Sequence, residues 1–146
     1  MGQVTKLQVE YFLNAIDREF QIPLSQKCDL KGLAQKFYEY GTFFVEQSGD
    51  QIVSMVAGYT NDLSGKKAYV SVVGTLPEAT GKGYATRLLK EFIQISTEKG
   101  MKEVHLYTVP TNIGAIYMYK KIGFEELYLE DESRPQDMHL VYYIKQ

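Results

Sequence analysis

The sequence predicts an α/β chain, of the α+β kind, with a mixed, mostly antiparallel central sheet flanked by about four helices. Three observations lead there. Apolar residues recur near helical spacing twice in the first forty positions; three β-rich runs separated by short turns follow; and after Pro77 the apolar period changes from two to 3.6 before alternating again. The 146 residues suit one domain over 1–146 with one sizeable core, and no repeat, low-complexity tract or linker interrupts them.

Leu7, Phe12, Leu13, Ile16 and Phe20 indicate a helix over 7–20. Asp29 is an N-cap for a second helix running to Tyr40 and closed by Gly41, with Pro23 and Ser25 marking the break between the two. TFFVEQ and QIVSMVAGYT are joined through Ser48, Gly49 and Asp50, and KAYVSVVGTL follows the turn Asn61 to Gly65, so the three read as an antiparallel meander. Tyr84, Leu88, Leu89, Phe92, Ile93 and Ile95 form the stripe of a long helix ending at Gly100. EVHLYTV alternates as a strand, Thr111 or Asn112 caps a helix to Ile122 that Gly123 stops, and FEELYLE and MHLVYYIK end the chain as strands. A short strand before the first helix also fits the pattern. The order αα-βββ-αβαββ contains one strand-helix-strand step, which implies a mixed sheet with helices on its faces.

Composition excludes several function classes. A net charge of -2, a pI near 5.7 and the lack of any Lys/Arg run give no field for a phosphodiester backbone, so nucleic acid is not an expected partner. The longest apolar runs, such as Ile52 to Gly58 and Tyr69 to Val73, fall far short of the roughly 20 residues that cross a bilayer, and the segment around Lys6 lacks the apolar core of a secretory signal. No membrane partner is expected, and the cytoplasm is the expected location. Cys28 is the single cysteine, which excludes an internal disulfide and a thiolate metal cluster; it reads as a packed or idle thiol, and no metal is expected. Twelve Tyr and seven Phe against no Trp supply amphipathic rings for a core or a pocket wall.

The segment TLPEATGKGYATRLL carries the chemistry. It passes from a strand into a helix through Gly81 and Gly83, where missing Cβ atoms let main-chain N–H groups approach an anion, and the helix starting near Tyr84 adds its dipole. A glycine pair also serves as a plain strand-to-helix turn. A Walker loop needs Gly at Leu76 and a hydroxyl at Gly83, and a dinucleotide fingerprint needs a small residue at Thr86, so neither fits. Downstream, in NIGAIYMYKKIGF, helical spacing sets Asn112, Ala115 and Tyr119 on one face. The same segment also reads as an amphipathic helix with Ile113, Ile116 and Ile122 inward and Lys120 and Lys121 solvated.

Taken together, PEATGKGYATRLL followed by NIGAIYMYKKIGF resembles the GNAT superfamily of acyl-CoA-dependent N-acetyltransferases over roughly residues 42–130. That resemblance implies acetyl-CoA as co-substrate, lying in a cleft where two neighbouring strands splay apart. It assigns the pantetheine arm to main-chain groups at Gly74, Thr75 and Leu76, the pyrophosphate to Gly81, Lys82, Gly83, Tyr84, Ala85 and Thr86, and a further cofactor contact to Asn112. It makes Tyr119 the general acid for the departing thiolate. N–H groups near Thr75 or Leu76 would stabilise the oxyanion in direct attack by an amine in a ternary complex. Two positions depart from the family pattern: Glu78 stands where Gln or Arg is usual and Thr80 where Arg is frequent, with Lys82 a partial substitute.

For the general base Glu46, His105, Glu130, Asp131 and His139 are all open, as is deprotonation through ordered water; His105 also reads as a packed histidine. The first two helices, the Tyr59 to Asp62 strand end and the last hairpin surround the acyl end in the family layout, so Tyr59, Asn61 and Tyr69 are candidate contacts to a small-molecule amine such as an amino sugar. The acidic turn Glu130 to Glu132 is either an ammonium lure or a solvated loop. A homodimer is left open. The rival readings are a non-catalytic acyl-CoA-binding module, a protein or peptide N-acetyltransferase, and a nucleotide-binding α/β protein.

Overall fold

The computed structural model describes residues 4–20, 23–128 and 137–145. Helix α1 (Lys6–Asp17) starts at a capping box, in which the Thr5 side chain accepts from the Gln8 amide and the Gln8 side chain accepts from the Thr5 amide. It ends three residues before Phe20 because Asp17 is committed elsewhere: its carboxylate accepts from the Ser25 amide at 2.9 Å and the Ser25 hydroxyl at 2.7 Å, pulling the chain into a 3-10 turn at Leu24–Gln26. Helix α2 (Leu30–Tyr40) is capped by Asp29, which accepts from the Gly32 amide, and stops at Gly41. Val4 and Thr5 lead directly into the first cap, so the strand considered before α1 has no counterpart among the described residues.

Strands β1 (Thr42–Ser48), β2 (Gln51–Tyr59) and β3 (Lys67–Thr75) form the antiparallel meander. A 3-10 turn at Pro77–Ala79 leads to α3 (Tyr84–Glu98), followed by β4 (Glu103–Thr108), α4 (Ile113–Ile122), β5 (Glu125–Leu127) and β6 (Met138–Tyr143). The sheet order is β1-β2-β3-β4-β6-β5, with β3 and β4 parallel and every other neighbouring pair antiparallel. This is the mixed, mostly antiparallel sheet with four flanking helices that the periodicities predict.

Each face of the sheet buries its own core. Phe12, Leu13 and Ile16 of α1 and Phe37 of α2 pack on Met55, Ala57 and Val72. Leu88, Leu89 and Phe92 of α3 pack on Val56, Val70, Val104 and Leu106 from the other side, together with Tyr119 of α4. Val70 and Val72 are two apart on one strand yet serve opposite cores, which regular pleating forbids. The register explains it: Ala57 opposes Val72 but Gly58 opposes Val70, so Ser71 is an extra residue, a β-bulge that reverses the faces of β3. Gly58 is required beside it, since a Cβ there would stand 2.0 Å from the Tyr69 carbonyl oxygen.

The parallel pair is tied at its lower end. Lys66, at φ 55, offers its carbonyl to the Lys102 amide at 2.7 Å and to the Glu103 amide at 3.4 Å, while the Lys102 carbonyl accepts from Ile144 at 2.9 Å. Three segments therefore share one clasp just below β3, β4 and β6.

Candidate active site

Pairing between β3 and β4 runs from Lys67 with Glu103 to Val70 with Leu106 and then stops. The bulge at Ser71 bends β3 at that point, so the strands part above it. The gap opens a cavity of about 640 Å³ through the sheet. Tyr69 to Val73 form one wall and Leu106 to Val109 the other; Thr111, Asn112 and Tyr119 lie along it, and Glu19, Phe20, Leu24, Lys27, Cys28 and Leu33 border it from the α1–α2 connection.

Above the bulge, one hydrogen bond sets the phase of the β3 backbone. The Leu76 amide donates to the Val53 carbonyl at 2.8 Å. In an antiparallel ladder such bonded pairs alternate, so Gly74 also bonds toward β2, opposite Met55, while the main-chain groups of Val73 and Thr75 turn toward the gap. Gly74 is further committed: its carbonyl accepts from Ser54 Oγ at 3.2 Å, and an added Cβ would lie 2.8 Å from Ile16 of α1. Of the three residues to which the resemblance gives the pantetheine arm, Thr75 presents its backbone to the cleft, whereas Gly74 and Leu76 present theirs to β2.

At the top of β3 the glycine turn is open. Gly81 (φ 80) and Gly83 (φ 79) are both left-handed, a conformation costing any other L-residue about 1–2 kcal/mol, and no atom lies within 4 Å of where their Cβ atoms would be. Gly83 caps α3 with no side-chain hydrogen bond. The ladder of α3 begins with Arg87 donating to the Gly83 carbonyl, and among the described residues the amides of Tyr84, Ala85 and Thr86 have no backbone acceptor. Three parallel donors at a helix N-terminus, over empty space, suit an anion. Lys82 is exposed beside them. Thr80 is exposed, its hydroxyl donating to the Pro77 carbonyl at 2.9 Å. Arg87 is held by Glu46 of β1 and sits over the Tyr84 ring at 5.6 Å.

Helix α4 brings the phenol. Tyr119 is 5% exposed, packs edge-on against Phe124 at 6.0 Å, and lines the cavity. Burial alone pushes its pKa up to about 12, so the side chain stays a neutral donor. Every fully buried polar side-chain atom among the described residues has a hydrogen-bond partner; no such bond is made by the Tyr119 hydroxyl there, so it is not sealed off. Asn112 occupies the N-cap position but does not cap: its amide nitrogen donates to Thr108 Oγ1 at 3.2 Å, holding the side chain across the mouth between β4 and α4. Ile113, expected inward, is 75% exposed, because the first turn of α4 overhangs the sheet and only Tyr119 of this helix is fully buried.

The other sequence candidates scatter. Tyr69 lines the cavity. Tyr59 lies against Phe37, with Lys36 over its ring at 5.1 Å, and Asn61 is on an exposed turn; neither borders the cavity. Glu46 is paired with Arg87. His105 bonds both His139 and Glu103. Glu130, Asp131 and Glu132 fall outside the described residues. Among the described residues no group of three or more His, Cys, Asp and Glu is set to hold a metal ion, and no helix is long and apolar enough to cross a membrane. Sequence reasoning missed the bulge at Ser71, which carries no compositional mark, and Phe20, Leu24, Lys27 and Leu33 at the mouth, which read locally as the end of one helix, a break and the start of another.

Comparison with known proteins agrees with this geometry. Over 88 residues, 58% of this chain and 39% of the relative, the sequence is 33% identical to an uncharacterized N-acetyltransferase of Methanocaldococcus jannaschii. The chain spans half or less of the length of the first relatives it matches. In fold it is similar to a GNAT acetyltransferase of Staphylococcus aureus, with a TM-score of 0.77 at 17% identity over 99% of this chain and 96% of that one. It is also similar to the PaiA N-acetyltransferase of Thermoplasma acidophilum in complex with coenzyme A, with a TM-score of 0.71 at 15% identity over 98% and 97%. The sequence model of the acetyltransferase (GNAT) family matches residues 5–124, and with that the chain belongs to the GNAT acetyltransferase family.

Proposed function

We propose that the protein transfers an acetyl group from acetyl-CoA to a primary amine of a small molecule, by direct attack in a ternary complex, with Tyr119 as general acid. The observation that carries this reading is the alignment of three features along one gap. They are open helix-N-terminal amides at Tyr84 to Thr86, outward main-chain groups at Val73 and Thr75, and a neutral buried phenol on the opposite wall. The diphosphate of the cofactor would sit on the glycine turn, with Lys82 beside it, and its pantetheine arm would pair along β3 as an added strand, with Asn112 as a contact to that arm. Of the two oxyanion donors that the resemblance offers, the Leu76 amide is engaged by Val53, which leaves the Thr75 amide for the thioester carbonyl. As the amine attacks and the C–S bond breaks, Tyr119 protonates the departing sulfur; a phenol with a raised pKa is a weaker acid but is never lost to ionisation.

The acceptor enters past Phe20, Leu24 and Leu33, with Glu19, Lys27 and Asp137 as the charged groups. Those walls favour an amine on a compact, partly apolar body over a polypeptide terminus. An amino sugar has support from Tyr69 alone of its three sequence candidates. The reaction belongs in the cytoplasm, in keeping with the single free Cys28.

The test is a screen of alkylamines, polyamines, amino sugars, amino acids and peptides with acetyl-CoA, read by thiol release. Release with at least one small amine is expected. A protein whose melting temperature rises with acetyl-CoA but which frees no thiol is a binding module, the reading that Glu78 and Thr80 favour. One stabilised by NAD or ATP and not by acetyl-CoA overturns the proposal.

A further inference from the structure

Lys27 borders the cavity from the turn between α1 and α2, and its main chain is fixed on both sides. The Asp17 carboxylate holds the Ser25 amide and hydroxyl, the Lys27 and Cys28 amides both donate to the Leu24 carbonyl at 2.9 and 3.0 Å, and Asp29 caps α2. Among the described residues the Lys27 ammonium makes no ion pair or hydrogen bond. Of the acids on this connection, Asp17 is engaged by Ser25 and Asp29 by the Gly32 amide. Glu19 borders the same cavity yet is not paired with Lys27.

A cation at this mouth is of no use to a bare amine. At neutral pH a primary amine arrives as an ammonium, which Glu19 and Asp137 attract and Lys27 repels. Lys27 becomes useful when the acceptor carries an anion as well. The amine then reaches the thioester between the parted strands while the anion stays at the mouth. Phe20, Leu24 and Leu33 border the same entrance and suit an apolar segment joining the two. One ammonium flanked by two acids matches a singly charged carboxylate, whereas a phosphate dianion calls for more than one cation.

We propose that the acceptor is an amino carboxylate, in which an apolar segment joins a primary amine to a carboxylate, and that Lys27 selects it by pairing with the carboxylate. The inference rests on the acetyltransferase reading and narrows its acceptor, since a polyamine or an amino sugar offers nothing to Lys27. The carboxylate takes no part in bond making. An ammonium and an acetyl thioester give an amide, a thiol and one proton: the N–C bond forms, the C–S bond breaks, and Tyr119 protonates sulfur and is reprotonated from the attacking nitrogen. The one proton left over goes to solvent.

Paired acceptors test this. Straight-chain amino carboxylates from β-alanine to aminohexanoate, together with leucine and phenylalanine, are each assayed by thiol release against the matching carboxamide. The preference in kcat/KM for carboxylate over carboxamide is expected to fall about fivefold from wild type to Lys27→Gln in the best pair, the strength of one exposed ion pair. The intrinsic reactivity of each amine cancels in that ratio. Lys27→Glu is expected to lower the preference further, and added salt to weaken it in the wild type. Lys27 is exposed, so thermal melting should find both variants folded as the wild type is. A preference unchanged by Lys27→Gln in every pair makes Lys27 a solvated surface residue and overturns the proposal while leaving the acetyltransferase reading intact. A wild-type protein that acetylates no amine overturns both.

Discussion

The lower and upper halves of β3 are one strand with two characters. From Lys67 to Val70 it is bonded to β4 throughout, and at Tyr69 and Val70 to β2 as well, with Ala68 and Val70 buried against the α3 side. From Val72 to Thr75 it keeps β2 but loses β4, and its faces are exchanged, so that Val72 and Gly74 pack toward α1. One inserted residue, Ser71, separates them. The lower half is built for cohesion and the upper half leaves one backbone edge without a strand partner, and the difference arises from register.

Substitutions can break either half selectively. The largest effect is expected in the upper one: Tyr119→Phe keeps the ring and its packing but removes the donor. This lowers kcat roughly tenfold to thousandfold with KM for acetyl-CoA little changed, as thiol release would show. In the lower half, Gly58→Ala drives a Cβ into the Tyr69 carbonyl and is expected to cost about 3 kcal/mol, a fall in Tm of roughly 6–12 °C by thermal melting. The same phenol sharpens the contrast at high pH. Its folded pKa of about 12 exceeds the ordinary value of 10, so its contribution is complete below pH 10 and lost as pH climbs toward 12. Denaturant titrations at rising pH should show up to about 2 kcal/mol of this loss in the wild type and its absence in Tyr119→Phe. Gly83→Ala strains a left-handed residue and puts a methyl where the diphosphate would sit. It is expected to raise KM for acetyl-CoA about tenfold while costing about 1 kcal/mol of stability. Arg87→Ala, which breaks an exposed pair with Glu46, should change stability by about 0.5 kcal/mol or less.

What the sequence disclosed were the features that neighbours in the chain decide. Asp29 caps α2 through an amide three residues on, Gly83 and Gly123 end or begin helices through their own dihedrals, and the strand after Glu103 alternates because its faces meet different surroundings. The two glycines before α3 and the phenol of α4 stood out for the same reason. What stayed hidden depends on partners brought in by the fold. Ser71 is a bulge only by comparison with Ala57 and Gly58, and His105 meets His139 across 34 positions. The Leu76 amide is taken by Val53, which no local pattern announces. Asn112 sits where a cap belongs, yet turns its amide to Thr108, and Tyr59 is claimed by Phe37 and Lys36. Spacing identifies who can reach a place, and competition among partners decides who does.

The Lys66 carbonyl, gripping two consecutive amides beneath the parting strands, has a mechanical corollary. Above Val70, the last residue paired with β4, the strand runs about 17 Å to Thr75, so a bend of roughly 5° there would displace its tip by about 1.5 Å while the joint itself scarcely moves. The four pairs from Lys67 with Glu103 to Val70 with Leu106 stand between that joint and the fissure, so any widening falls on the length of strand above them and leaves the base closed.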